Sequence, residues 1–140
     1  MTANKTKINV ECIVNCNIEK VWEYWTTPKH IEQWNHASED WHTPKASNDL
    51  NVGGKFTSTM AAKDGSFSFD FGGTYTEILE YKLIKYIMDD GRMASVDFIT
   101  IGETVEIVET FEAENQNPIE MQRDGWQAIL NNFKKYVEKN

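Results

Sequence analysis

Apolar and polar positions alternate with two different periods along the chain. Residues 6–16, TKINVECIVNC, alternate so that Ile8, Val10, Cys12 and Val14 share one face of an expected strand. Asn17 stands where a helix cap belongs, and Ile18, Val21, Trp22 and Trp25 follow at helical spacing. Thr27-Pro28 opens a second short helix with proline at its first position, where the missing N–H costs nothing. Ile31 and Trp34 form its inner face. From about residue 50 to 112 the period drops to two. Gly53-Gly54, Asp64-Gly65, Gly72-Gly73, Asp90-Gly91 and Gly102 read as turns between the strand-like runs FTSTM, FSFDF, TYTEILEY, LIKYIM, MASVDFITI and TVEIVETF. Successive tight turns predict an antiparallel meander.

The final stretch, NPIEMQRDGWQAILNNFKKYVEKN, predicts the longest helix. Asn117 is the expected cap, Pro118 the first position, and Glu120 completes a capping-box-like start. Ile119, Trp126, Leu130, Phe133 and Val137 make an apolar stripe, widened by Ile129 and Tyr136. Lys134, Lys135 and Lys139 lie where positive charge suits the helix dipole. The expected class is α+β: a curved antiparallel sheet of six or seven strands, two short helices after the first strand, and a long C-terminal helix inside the curve. One helix rarely fills the interior of such a sheet, so a cavity is expected between them.

Composition narrows the functions. At 140 residues the chain is long enough for one domain with its own core. Five Trp, five Tyr and seven Phe give 12% aromatics, which either fill that core or line a cavity. A net charge of −8 argues against nucleic acid and anionic membrane surfaces as partners, and no basic cluster exceeds the pair Lys134-Lys135. Cys12 and Cys16 are four strand steps apart, roughly 13 Å, beyond the roughly 7 Å reach of a disulfide. Their C-x3-C spacing also misses the common zinc knuckles. Reduced thiols, a start (MTANKTKINV) with no apolar signal core, and no long apolar run together make a cytoplasmic location the expectation.

Several stretches resemble a known superfamily. They are EKVWEYWTTPKHIEQW from Glu19 to Trp34, Gly-Gly-x-Phe at Gly53 to Phe56, Gly73-x-Tyr75-x-Glu77-Ile78, Thr104, and Gly125-Trp126. The likeness, running from residue 8 to 137, is to the SRPBCC or START-like superfamily, the helix-grip or birch-pollen-allergen fold. Within it, the chain is most similar to bacterial proteins like the activator of the ninety-kilodalton heat-shock chaperone ATPase. The resemblance implies a cavity for sterols, lipids, polyketides or other hydrophobic ligands, no fixed cofactor, and in some members cyclase or dehydratase chemistry or assistance to a chaperone. In the eukaryotic co-chaperone a second, N-terminal domain binds the chaperone. Here the first strand is expected from residue 8, so a single domain over 1–140 is expected.

All three histidines, His30, His36 and His42, fall in TTPKHIEQWNHASEDWH. Their six-residue steps do not converge as zinc ligands do, and they are expected to face solvent on the loop after the second helix. Trp34 and Trp41 bracket that loop, either at the cavity mouth or as anchors. The concave face is expected to carry Phe56, Ser58 and Met60, and then Phe69, Phe71 and Tyr75 provided no bulge lies at Gly72-Gly73. Val96, Phe98, Val105, Ile107, Glu109 and Phe111 complete it. On the long helix, Gly125 either admits a close approach of the sheet or leaves room for ligand, and Trp126, Ile129 and Phe133 line the cavity. Glu109, between apolar neighbours, is either paired, with Arg123 as partner, or turned to solvent after all, or a carboxyl of raised pKa fit for general acid–base work. No nucleophile, phosphate-loop or cofactor motif accompanies it. Three functions remain: binding of a small hydrophobic or amphipathic molecule, a cyclase- or hydrolase-type enzyme using Glu109 or Tyr75, and a module that contacts a chaperone.

Overall fold

A computed structural model describes residues 6–140. The elements run β1 (Lys7–Val14), α1 (Ile18–Thr26), α2 (Pro28–Trp34), β2 (Trp41–Asn48), β3 (Lys55–Ala62), β4 (Ser68–Leu79), β5 (Leu83–Met88), β6 (Met93–Ile101), β7 (Thr104–Glu112) and α3 (Ile119–Lys139). The strands form one seven-stranded antiparallel sheet in the order β1-β7-β6-β5-β4-β3-β2. This is the helix-grip arrangement: a curved half-barrel with a long helix in its concavity.

Local chemistry sets several boundaries. Asn17 caps α1, its side-chain oxygen accepting from the Lys20 N–H at 2.8 Å. Pro28 is the first residue of α2. α3 starts one residue later than expected: Pro118 is its cap, and no side chain caps it. Buried Gln122 organises the approach instead. Its oxygen accepts from the Glu114 N–H at 2.9 Å, and its amide donates to the Asn117 carbonyl at 2.8 Å.

Two strands depart from expectation. β2 lies where a loop was expected, because WHTPKASN neither alternates nor avoids proline. Pro44 is tolerated since β2 is an edge strand whose register slips between His42 and Lys45. Conversely, Gly72-Gly73 is no turn but the middle of a single 12-residue strand, β4, which unites two expected strands. A Cβ on Gly73 would fall 2.6 Å from the Ile87 carbonyl and 3.1 Å from the Phe56 ring, so a close non-local approach fixes glycine there. The irregularity in β4 comes later, between Tyr75 and Glu77, leaving Phe69, Phe71 and Tyr75 in phase.

Both sheet edges are sewn to helices. Gln127 of α3 donates to the Glu11 carbonyl (2.9 Å), Lys134 donates to Ile13, and Glu138 accepts the Asn15 N–H at 2.8 Å. At the other edge, Glu32 of α2 accepts the Ala46 N–H at 3.1 Å, and Asn48 donates to the Thr26 carbonyl at 2.6 Å. These bonds occupy edge groups that would otherwise invite another strand. The core is thereby concentrated under the helices, where Val10, Val14, Val21, Val105, Ile107, Leu130, Phe133 and Val137 are all buried. The middle of the sheet is left uncovered.

Candidate functional site

The uncovered part of the concave face is a cavity of about 520 Å³ between the sheet, α2 and α3, within the range of small-molecule pockets. Strand pairing sets the concave face in rows, of which Glu109, Ile84, Tyr86 and Tyr75 border the cavity. One row runs Val10, Glu109, Val96, Ile84, Ile78, and the next Ile8, Phe111, Ala94, Tyr86, Tyr75. Phe56 of β3 packs edge-on to Tyr86, with ring centres 4.9 Å apart, and tilted on Tyr75 at 5.2 Å. Trp126 of α3 stacks on Phe111 at 3.8 Å and stands edge-on to Phe71 at 6.0 Å, a rigid aromatic wall.

Each expected site residue has a definite place. Trp34 and Trp41, Phe56 and Met60, Phe69, Phe71 and Tyr75, Glu109, and Gly125, Trp126 and Ile129 all stand on the cavity wall. Trp34 is an anchor as well, donating its indole N–H to the Tyr24 carbonyl at 2.9 Å and packing on Trp25 and Phe133. Trp41 packs against Phe67 and Phe69, and exposed Phe69 and Met121 mark where the wall meets the surface. A Cβ on Gly125 would have nothing within 4 Å, so this glycine leaves space rather than permitting close sheet approach.

Phe98, Ile107 and Phe133 are corrections. They point inward as expected but lie under the helices, Phe98 against Trp22 and Trp25, and Phe133 against Trp25 and Trp34. None borders the cavity. Tyr86, Trp25, Ile31, Gln122 and Arg92 do border it and were not singled out. The alternation of Ile84, Tyr86 and Met88 in LIKYIM carried the signal for Tyr86.

The three histidines are partly buried rather than solvent-facing, and only His36 lies on the loop after α2. His30 belongs to α2, stacked on Tyr24 at 3.9 Å with Nδ1 2.7 Å from the Tyr136 hydroxyl. His36 lies 3.1 Å from the Asn132 amide, and burial lowers its pKa. His42 is in β2. Among the described residues no group of three or more His, Cys, Asp or Glu side chains is placed to hold a metal.

Glu109 is the chemically distinctive group. It is 6% exposed on an apolar floor and bonds to no described residue; Arg123 is on the exposed face of α3 and does not pair with it. Burial alone pushes its pKa up to about 8. The Tyr86 hydroxyl is likewise without a hydrogen-bond partner among the described residues, and burial with the nearby Glu109 charge holds its pKa well above the phenol range. Tyr75 differs, since its hydroxyl donates to Asn48 Oδ1 at 2.6 Å. Arg92, at the cavity edge, is held by Asp90 at 2.8 Å and the Glu112 carbonyl at 3.0 Å.

A half-barrel around one long helix, with an apolar cavity between them, defines a helix-grip protein of the SRPBCC class. Residues 15–138 match the family described as activator of Hsp90 ATPase homolog 1-like protein, and the chain belongs to that family. It is similar to the solution structure of an AHSA1-like protein from Aeromonas hydrophila, with 46% identity, 96% of this chain and 93% of that one covered, and a TM-score of 0.90. A Cytophaga hutchinsonii protein is 55% identical over the same shares, with a TM-score of 0.82. A Chromobacterium violaceum protein at 20% identity shares the fold, with 96% and 99% covered and a TM-score of 0.85. No curated protein is significantly similar to this chain. No helix among the described residues is long and apolar enough to cross a membrane.

Proposed function

We propose that this protein binds a small hydrophobic or amphipathic molecule in the cavity between sheet and C-terminal helix. The observation that carries this reading is about 520 Å³ of space walled by Phe56, Phe71, Tyr86, Trp34 and Trp126 where a close-packed interior would have none. Removing roughly 200 Å² of apolar ligand surface from water contributes about 5 kcal/mol, which on its own corresponds to an affinity of about 0.2 mM, so further contacts on the wall are needed for tighter binding. The aromatic stacking on both sides of the space supports a preformed wall.

Native mass spectrometry of the gently purified protein, compared with its denatured mass, tests the reading. The expected result is an added mass that leaves on denaturation and is missing from Gly125→Phe, whose ring would fill the cavity from the helix side. A ligand-free mass that persists after incubation with a panel of hydrophobic compounds would count against it.

A further inference from the structure

We infer that the cavity selects a ligand carrying a basic amine at the end of an apolar skeleton, with the ammonium seated on the Glu109 carboxylate at the cavity floor. This rests on the ligand-binding reading above and names the ligand's chemistry. Glu109 is more than nine-tenths buried, borders the cavity, and has no hydrogen bond or ion pair with any described residue. A buried carboxyl without a partner is costly, and every side chain beside it in its row of the sheet (Val10, Val96, Ile84) is apolar. The partner it lacks must therefore arrive in the cavity.

The surroundings favour a cation over an anion. Of the other polar side chains on the wall, Gln122, Asn117 and Tyr75 are already engaged within the protein. Arg92 is tied to Asp90 and Glu112. The Tyr86 hydroxyl, without a partner, offers a second acceptor for an N–H donor. An ammonium gains a charge-assisted bond to Glu109 in a low-dielectric site, where such bonds are strong. A carboxylate ligand would meet Glu109 with no free cation beside it. The titratable groups near Glu109 on the packed strands are Cys12 of β1 and Tyr86 of β5. Burial pushes the thiol up to about 12 and holds the phenol well above its ordinary value, so both stay neutral. The α3 residues on the wall, Met121, Gln122, Gly125, Trp126 and Ile129, carry no charge.

Proton balance gives the proposal a distinctive signature. At pH 7 the free protein holds Glu109 protonated and the amine arrives as an ammonium. Forming the ion pair transfers the carboxyl proton to solvent, and the ammonium keeps its own. With a pKa of about 8, about 0.9 proton is released per amine bound at pH 7, and affinity rises about tenfold per pH unit from pH 6 towards 8.

Naphthylethylamine, naphthylethanol and naphthylacetic acid share an apolar body and differ only in the head group. Calorimetric titration of each, in buffers of differing ionisation heat, should show the amine binding wild type at least about tenfold more tightly than the alcohol, with the acid weakest and a proton released only with the amine. Glu109→Gln should abolish the amine preference and proton release, and a single cooperative denaturation transition reports that the variant is folded. Alcohol binding with no amine preference, or a preference that survives in Glu109→Gln, overturns the amine assignment and leaves the cavity reading standing. No binding by any of the three compounds overturns both.

Discussion

Replacing Glu109 with Gln should stabilise the protein, and by an amount that depends on pH. The side chain sits on an apolar floor, and burial raises its pKa from 4.5 to about 8. The folded state thus holds a proton that the unfolded chain releases, so stability falls as pH rises between these values. Below pH 4.5 both states are protonated and the penalty vanishes; above pH 8 both are ionised and it levels off. Each pKa unit corresponds to about 1.4 kcal/mol, so wild type should lose about 3 kcal/mol relative to Glu109→Gln between pH 4.5 and pH 7. Chemical denaturation of both proteins at half-unit pH steps, plotted as the difference in unfolding free energy, isolates this group from every other titrating residue. A difference that stays flat from pH 4.5 to 8 would refute the account of Glu109 as a buried, unpartnered carboxyl.

Other substitutions probe the same packing. Gly125→Ala should stabilise by about 1 kcal/mol through helix propensity, raising the thermal midpoint by about 3 °C, because its Cβ meets nothing within 4 Å; an unchanged or lower midpoint in calorimetry would mean that the space is not there. Gly73→Ala should destabilise by roughly 1–3 kcal/mol, since the added carbon lands 2.6 Å from the Ile87 carbonyl, and an unperturbed denaturation midpoint would contradict that close approach. Phe133→Ala, at a fully buried position under Trp25 and Trp34, should cost about 3–5 kcal/mol with little change in ligand affinity measured on the folded fraction. A large affinity loss there would place Phe133 on the wall after all.

Elements whose determinants are local were legible in the sequence. Asn17 and Pro28 mark the starts of α1 and α2, and alternation along residues 7–14 and 83–112 marks strands β1 and β5 to β7. What escaped depends on contacts far along the chain. β2 has a proline and no alternation, and is a strand because β3 and the side chains of α2 pair with it. Gly72-Gly73 looks like a turn because nothing nearby reveals that the Phe56 ring and the Ile87 carbonyl press against Gly73. The site follows the same rule. Strand parity placed Phe56, Phe71, Tyr75 and Glu109 on the inner face, and they border the cavity. Parity also placed Phe98 and Ile107 inward, but which inward positions the helices cover depends on how the two sheet edges are sewn to α2 and α3. No run of neighbouring residues encodes that.

The five tryptophans allow the central claim to be tested in one spectrum. Trp25, Trp34, Trp41 and Trp126 border the cavity, whereas Trp22 packs on Tyr81 and Phe98 away from it. Titration of ¹⁵N-labelled protein with naphthylethanol, followed through the assigned indole N–H resonances, should shift those four signals saturably and leave Trp22 in place. Saturable movement confined to Trp22, or no movement in any of the five at millimolar probe, would contradict a ligand-binding cavity between the sheet and the C-terminal helix.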